Sequence, residues 1–228
     1  MLLPGGTGRT WRAGPLVLKP LDRARAEIEW QADVLARVRE NGFRVAPPVP
    51  LIVEGWTAWR HVEGRHEPGR WLDIIAVGER FHAALAGVSR PSAIVDAGVE
   101  PWATGDRVAW GDQRFEALDD ILAALRPVTE PSGLIHGDLT GNVLFDDELP
   151  PAIIDFTPYW RPLGFQSAIV VADALVWESA PPELADAVDL QYLLRALIYR
   201  AVTSMVAGTE WHRTVALAHR IAARCASR

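Results

Sequence analysis

A chain of 228 residues, 49% hydrophobic and 23% charged, is long enough to bury a substantial core in one large domain or two small lobes. Its net charge of −6, with no basic block, excludes a general nucleic-acid binder, because a phosphate backbone requires clustered cations. The single cysteine, Cys225, excludes an internal disulfide. With neither a charged leader ahead of an apolar core nor an apolar run long enough to span a bilayer, the expectation is a cytoplasmic protein with no membrane segment.

The first predicted element is a glycine-rich turn and strand over residues 4–18, PGGTGRTWRAGPLVL, where Gly5, Gly6 and Gly8 permit close backbone approach to a ligand. The apolar run Leu16, Val17, Leu18 ends in Lys19. Every other basic residue is arginine, so a lysine kept at this one position suits a compact point charge against phosphate; a surface lysine is the plain alternative. Residues 22–40 predict a helix with Ile28, Gln31 or Ala32, Leu35 and Val38 on one face, Asp22 as N-cap, and Asn41 and Gly42 as the stop. A valine- and proline-rich stretch, 45–50, leads into a hairpin with arms 51–54 and 56–62 that turns at Gly55.

Residues 71–88 are again helical in pattern, with Leu72, Ile75, Phe81 and Leu85 apolar. His82 among them reads as a packing histidine more than a metal ligand. Residues 89–114 read as an irregular insertion with a short helix, in which Trp102 and Trp110 are packing aromatics more than pocket walls. Another helix covers 116–125. The passage 134–160, LIHGDLTGNVLFDDELPPAIIDFTPYW, reads as a hairpin with arms 143–145 and 152–154. Asp138 and Asn142 lie in the short loop before the first arm, and Asp155 closes the second. Hairpin geometry brings these three oxygen-bearing groups to one sheet edge, which suits a hard cation such as magnesium and a polyphosphate. Asp173 follows in an almost wholly apolar helix, where a carboxylate must find hydrogen bonds or a cation. Two more helices, 184–206 and 210–224, end the chain.

His136, Gly137, Asp138 and Asn142, followed by Asp155 and Phe156, resemble the catalytic centre of the kinase-like phosphotransferases, in the aminoglycoside phosphotransferase and choline kinase branch. That branch has H-G-D where protein kinases have H-R-D ahead of D-F-G. The resemblance implies an α+β, bilobal protein kinase-like fold. A small antiparallel sheet and one helix would form a nucleotide-binding lobe over 1–62, and a larger, mainly helical lobe would span 63–228. It implies that Asp138 orients or deprotonates the substrate hydroxyl, that Asn142 and Asp155 hold Mg2+, that His136 is structural and that Asp173 braces the catalytic loop. In the other lobe Gly6, Thr7 and Gly8, with Arg9, would cover the phosphates of ATP or GTP, and Lys19 would contact the alpha and beta phosphates. Glu29 or Glu27 would pair with Lys19, and the Arg60 carbonyl and Val62 N–H would hold adenine. The implied partner is a small molecule bearing a hydroxyl.

The sequence departs from that family in two places. Three residues, not four, separate Asp138 from Asn142, and Thr157 stands where the third motif has glycine. These departures sustain an alternative, a nucleotide-binding or scaffold protein that keeps the fold without the chemistry. Retention of Lys19, Asp138, Asn142 and Asp155 together favours the enzyme. Acidic clusters at Asp119, Asp120 and 146–148 would suit a cationic acceptor such as an amino sugar, although such runs are commonly just solvated. Sequence alone leaves the acceptor, the choice of ATP or GTP, and the oligomeric state open.

Overall fold

The computed structural model describes residues 1–3, 8–21, 23–46, 48–90 and 101–227. Strands β1 (Trp11–Ala13) and β2 (Leu16–Pro20) form a hairpin turning at Gly14, whose φ of 60° favours glycine. Ahead of β1 the chain doubles back once more: Leu2 bridges Trp11, and the Leu3 N–H donates to the Thr10 carbonyl at 2.8 Å. Gly6 and Thr7, expected over the phosphates, lie outside the described residues.

Helix α1 (Arg25–Arg37) buries Ile28, Gln31, Val34 and Leu35, one 3.6-residue stripe. It is shorter than the expected 22–40, because Val38 is already extended, so Val34 completes the stripe and not Val38. Asp22, the expected cap, lies outside the described residues. After β3 (Arg44–Val45), strands β4 (Pro48–Val53) and β5 (Trp56–Arg60) form the expected hairpin, with Glu54 and Gly55 at φ 50° and 78°. A two-residue turn needs both residues left-handed to match the strand twist. The four strands make one antiparallel sheet in the order β1-β2-β5-β4.

The remainder is mainly helical: α2 (Trp71–Ala84), α3 (Trp102–Ala109), α4 (Asp119–Leu122), α5 (Leu163–Trp177), α6 (Leu190–Ala207) and α7 (His212–Ala226). Between α4 and α5 run β6 (Gly133–His136), β7 (Val143–Leu144), β8 (Ala152–Ile153) and β9 (Pro158–Arg161). A small sheet beside a helical lobe is the bilobal α+β arrangement expected. Three details differ. The helix expected at 116–125 shrinks to a 3-10 turn plus α4. The helix expected from 184 begins at Leu190, where the Asp189 carboxylate accepts from the Gln191 N–H at 2.7 Å. The antiparallel pair β6-β9, which brackets residues 137–157, was not foreseen.

Two cores hold this together. One lies among α5, α6 and α7; α5 and α6 are apolar nearly all round and are buried accordingly. The other joins Ile28 and Leu35 of α1, Val77 and Phe81 of α2, and Leu139, Val143 and Phe156 of the 134–160 passage. β3 pairs parallel to β8, which pairs antiparallel to β7, so a strand from the chain's first quarter sits on the hairpin that carries the acidic residues.

Candidate active site

Lys19 stands on β2 opposite Thr57 of β5, and Val17 stands opposite Trp59. Strand residues two apart share a face, so Val17, Lys19, Thr57 and Trp59 line one side of the sheet. Val17 and Trp59 pack into the second core, which turns that side toward the 134–160 passage. The Lys19 ammonium thus meets the Asp155 carboxylate, Nζ to Oδ1, at 2.8 Å, with the Trp59 ring 5.9 Å from the nitrogen. Partial burial disfavours the Asp155 charge, but the Lys19 ammonium outweighs it, assisted by Arg23, and the carboxyl sits below its ordinary value. Half of that side chain still meets solvent.

Asp155 takes φ 53°, left-handed for a non-glycine residue, a strained conformation of the kind found at functional sites. Its neighbours fix it. The Ile154 N–H donates to the Asn142 carbonyl at 3.0 Å, and the Gly137 N–H donates to the Thr157 carbonyl at 2.8 Å. The Thr157 hydroxyl donates to the Asp155 carbonyl at 3.1 Å. Phe156 is buried edge-on against Phe81 and the His136 ring. The chain then enters β9, so Thr157 in place of glycine leads into a paired strand.

His136 is fully buried. Its Nε2 lies 3.1 Å from the Ile154 carbonyl, and its Nδ1 accepts the Asp138 N–H at 3.1 Å, which assigns the proton to Nε2. Burial pushes the imidazole below its usual value despite that carbonyl, so the ring is neutral and structural. Gly137 has no room for a side chain: a Cβ would overlap the Tyr159 ring.

The shortened loop closes as a turn. The Asn142 N–H donates to the Leu139 carbonyl at 2.9 Å, Gly141 takes φ 78°, and Leu139 plugs into the core below. The Asn142 amide nitrogen donates to the Asp138 carbonyl at 2.7 Å, which leaves the amide oxygen for another partner. That oxygen and the Asp155 carboxylate form a hard donor pair suited to Mg2+. Among the described residues no three His, Cys, Asp or Glu side chains gather into a metal-binding group, so such a cation would draw its other ligands from phosphate and water.

Asp138 is half-exposed, and its Oδ1 accepts from Arg200 Nη2 of α6 at 2.8 Å. Arg200 also grips Asp173 of α5 with two bonds, Nε to Oδ1 at 2.8 Å and Nη2 to Oδ2 at 2.6 Å. Burial raises the Asp173 carboxyl against the pull of Arg200, while the two carboxylates hold the buried guanidinium well above its ordinary value despite desolvation. Asp173 is thus linked to Asp138 through Arg200, a residue the sequence reading did not single out.

One expected contact does not form. Lys19 pairs with Asp155 and with neither α1 glutamate: Glu27 is neutralised by Arg23 at 2.6 Å and bound to Gln31 at 3.2 Å, and Glu29 lies on the solvent side of α1 beside Arg25. The stripe Ile28, Gln31, Val34, Leu35 sets that rotation, since it is what the helix must bury. Gly8 takes φ 70° and is exposed. Arg60 ends β5; because the next N–H, of His61, donates to Pro15 at 2.9 Å, strand alternation turns the Arg60 backbone to the opposite edge, with half-buried Val62 two residues on. The acidic clusters have their own partners: Asp119 with Arg114, Asp120 with His219, Asp147 with Arg65, and Asp146 with the Glu148 and Leu149 N–H groups. Trp110 packs between Arg161 and Arg195, and His82 Nδ1 meets the Leu134 carbonyl at 2.9 Å.

The profile described as "Phosphotransferase enzyme family" matches residues 8–159. No curated protein sequence matches the chain. Among solved structures, an aminoglycoside phosphotransferase from Alicyclobacillus acidocaldarius is similar at 16% identity and a TM-score of 0.56, over 96% of this chain and 88% of that one. The amicoumacin kinase hAmiN, in complex with AMP-PNP, Ca2+ and Ami, gives 16% and 0.58, over 92% and 81%. Spectinomycin phosphotransferase APH(9)-Ia, in complex with ADP and spectinomycin, gives 14% and 0.54, over 92% and 81%. At these identities the likeness is one of fold.

Proposed function

This chain belongs to the phosphotransferase enzyme family, and from that premise we propose that it moves the gamma-phosphoryl group of ATP or GTP to a hydroxyl of a small molecule, with Mg2+. The observation that carries the reading is the 2.8 Å contact of Lys19 on β2 with Asp155, beside a loop that presents Asp138 and Asn142. Residues 1–62 are taken as the nucleotide lobe and 63–228 as the lobe that holds the acceptor. Lys19 neutralises phosphate charge as a point cation. Asn142 and Asp155 would hold the divalent ion, which when bound offsets charge on the phosphate oxygens. Gly6, Thr7 and Gly8 would close over the phosphates, and the Arg60 carbonyl and Val62 N–H would meet the base. Asp138 aims the acceptor hydroxyl along the line of attack and takes its proton as the oxygen bonds to phosphorus and the nucleoside diphosphate leaves.

Two neighbours in fold are complexes, one with AMP-PNP, Ca2+ and Ami and one with ADP and spectinomycin, which supports nucleotide use and a small-molecule acceptor here. An amino sugar or aminoglycoside-like acceptor fits that company. The scaffold alternative rested on the short loop and on Thr157, and both are accommodated by hydrogen bonds around intact ionic groups.

Two measurements test the reading. MgATP should raise the melting temperature, with ligand at a hundred times Kd adding about 2.7 kcal/mol, and omission of the metal should remove most of the shift. No response with or without metal would leave a scaffold. Asp138→Asn should then keep the nucleotide shift and abolish ADP release with a panel of amino sugars and amino alcohols; loss of the nucleotide shift would contradict the role given to Asp138.

A further inference from the structure

We propose that Arg200 is a positioning residue for phosphoryl transfer, a clamp from α6 that holds one oxygen of Asp138 and leaves the other facing the acceptor. The proposal rests on the function read above and deepens it at the same site. A carboxylate on a turn three residues long has few restraints of its own, and rotation about its side chain would swing the aimed oxygen off line. Misplacement by about an ångström costs about a hundredfold in rate. The loop's own contribution is slight: the Asn142 amide nitrogen, 2.7 Å from the Asp138 carbonyl, is 3.4 Å from Oδ2. Arg200 Nη2, at 2.8 Å, is the close partner of Oδ1.

What makes Arg200 a fixed reference is its own anchorage. It is buried, and the bidentate grip on Asp173 sets the plane of the guanidinium. Asp173 is rooted in α5, whose core face is packed throughout, and α6 packs along α5. Tyr199, next in the chain, is fully buried with its ring 5.1 Å from the Arg200 guanidinium carbon, and its hydroxyl meets that of Tyr159 at 3.2 Å. Tyr159 in turn covers Gly137, the residue before Asp138. The aim of Asp138 is thus referred to two helices of the larger lobe and depends less on the shortened loop. A planar fork suits this task and an ammonium does not, because one guanidinium must face two carboxylates in fixed directions.

Arg200→Met alone would strand the buried Asp173 charge and risk unfolding, so the informative variant is the double substitution Asp173→Asn with Arg200→Met, beside Arg200→Lys. Each is checked for a cooperative melt and compared with the unaltered protein by ADP release from MgATP, with water and with the same amino sugar and amino alcohol panel as acceptors. The expected result is a folded double variant whose kcat falls about a hundredfold while KM for MgATP stays within about twofold, with Arg200→Lys recovering part of the loss. A folded double variant with unchanged kcat overturns the proposal. So does a kcat loss accompanied by an equal loss of MgATP affinity, which would make Arg200 a general structural residue. An unaltered protein that binds MgATP and releases no ADP with any of these acceptors refutes the transferase reading itself, and the role of Arg200 falls with it.

Discussion

Asp155 and Asp138 are each tied to a cation at 2.8 Å, and the two cations differ in depth. The Lys19 and Asp155 side chains keep 24% and 52% of their exposure; Asp138 keeps 42%, but its partner Arg200 keeps 8% and the second carboxylate on that guanidinium, Asp173, 4%. An ion pair in reach of water contributes only about 0–1 kcal/mol and is easily exchanged. On the function proposed above, phosphate would take Lys19, and a divalent ion Asp155, at small cost. The buried pair cannot be exchanged in that way, since a charge left without its partner has no water to turn to. The Lys19 pair is thus the exchangeable one, and the Arg200–Asp173 pair is a permanent frame.

The sharpest way to break this contrast is Asp173→Ala, which leaves the Arg200 guanidinium with half its partners. It should lower the unfolding free energy by roughly 3–5 kcal/mol, measured by chemical denaturation. A loss under about 1 kcal/mol would put the buried pair on a par with the exposed one. Lys19→Met should do the opposite, changing stability by no more than about 1 kcal/mol. Its effect should appear in titration calorimetry with MgATP, as an affinity loss of about tenfold or more, since about 1.4 kcal/mol of lost contact suffices for that. Stability falling further than affinity would contradict an exchangeable Lys19.

The smallest effect is in acid. Asp155 has a lowered carboxyl value in the folded state, so its pair with Lys19 adds stability above the ordinary carboxylate pKa of about 4 and loses it as pH falls through the lowered value. The stability difference between the unaltered protein and Lys19→Met should therefore be level above about pH 5 and vanish as pH falls through the lowered Asp155 value. With half of Asp155 exposed, that difference is small, and a steep rise on acidification would mean the pair is destabilising.

Arg200 shows how near the sequence came to this frame. Asp173 in an apolar helix already demanded a cation, and Arg200 lies in an equally apolar run of α6, ALIYRAV, so two buried opposite charges were waiting to be matched. What no pattern in the chain announced is that the same guanidinium reaches Asp138, because side-chain direction across two packed helices is a property of their contact. Glu27 and Glu29 make the complementary case. Both had the right charge in the right helix, and the apolar stripe decided which way the helix turned. The stripe was legible; its consequence for Lys19 required the position of α1 against β4 and the second core.

By itself the chain determined most of its elements, through periodicity and turn residues such as Gly55, and the candidate site, through the types and order of Lys19, His136, Asp138, Asn142 and Asp155. These are local facts, fixed by backbone sterics and by what each side chain can bind. Tertiary structure alone decided the partners: Asp155 for Lys19, Arg200 for Asp138, and the strand pair β6-β9 that holds the passage after Phe156. Partnership at a few ångströms between residues far apart in the chain depends on how helices and sheets pack, and that is set by the summed burial of many apolar side chains and by no single motif.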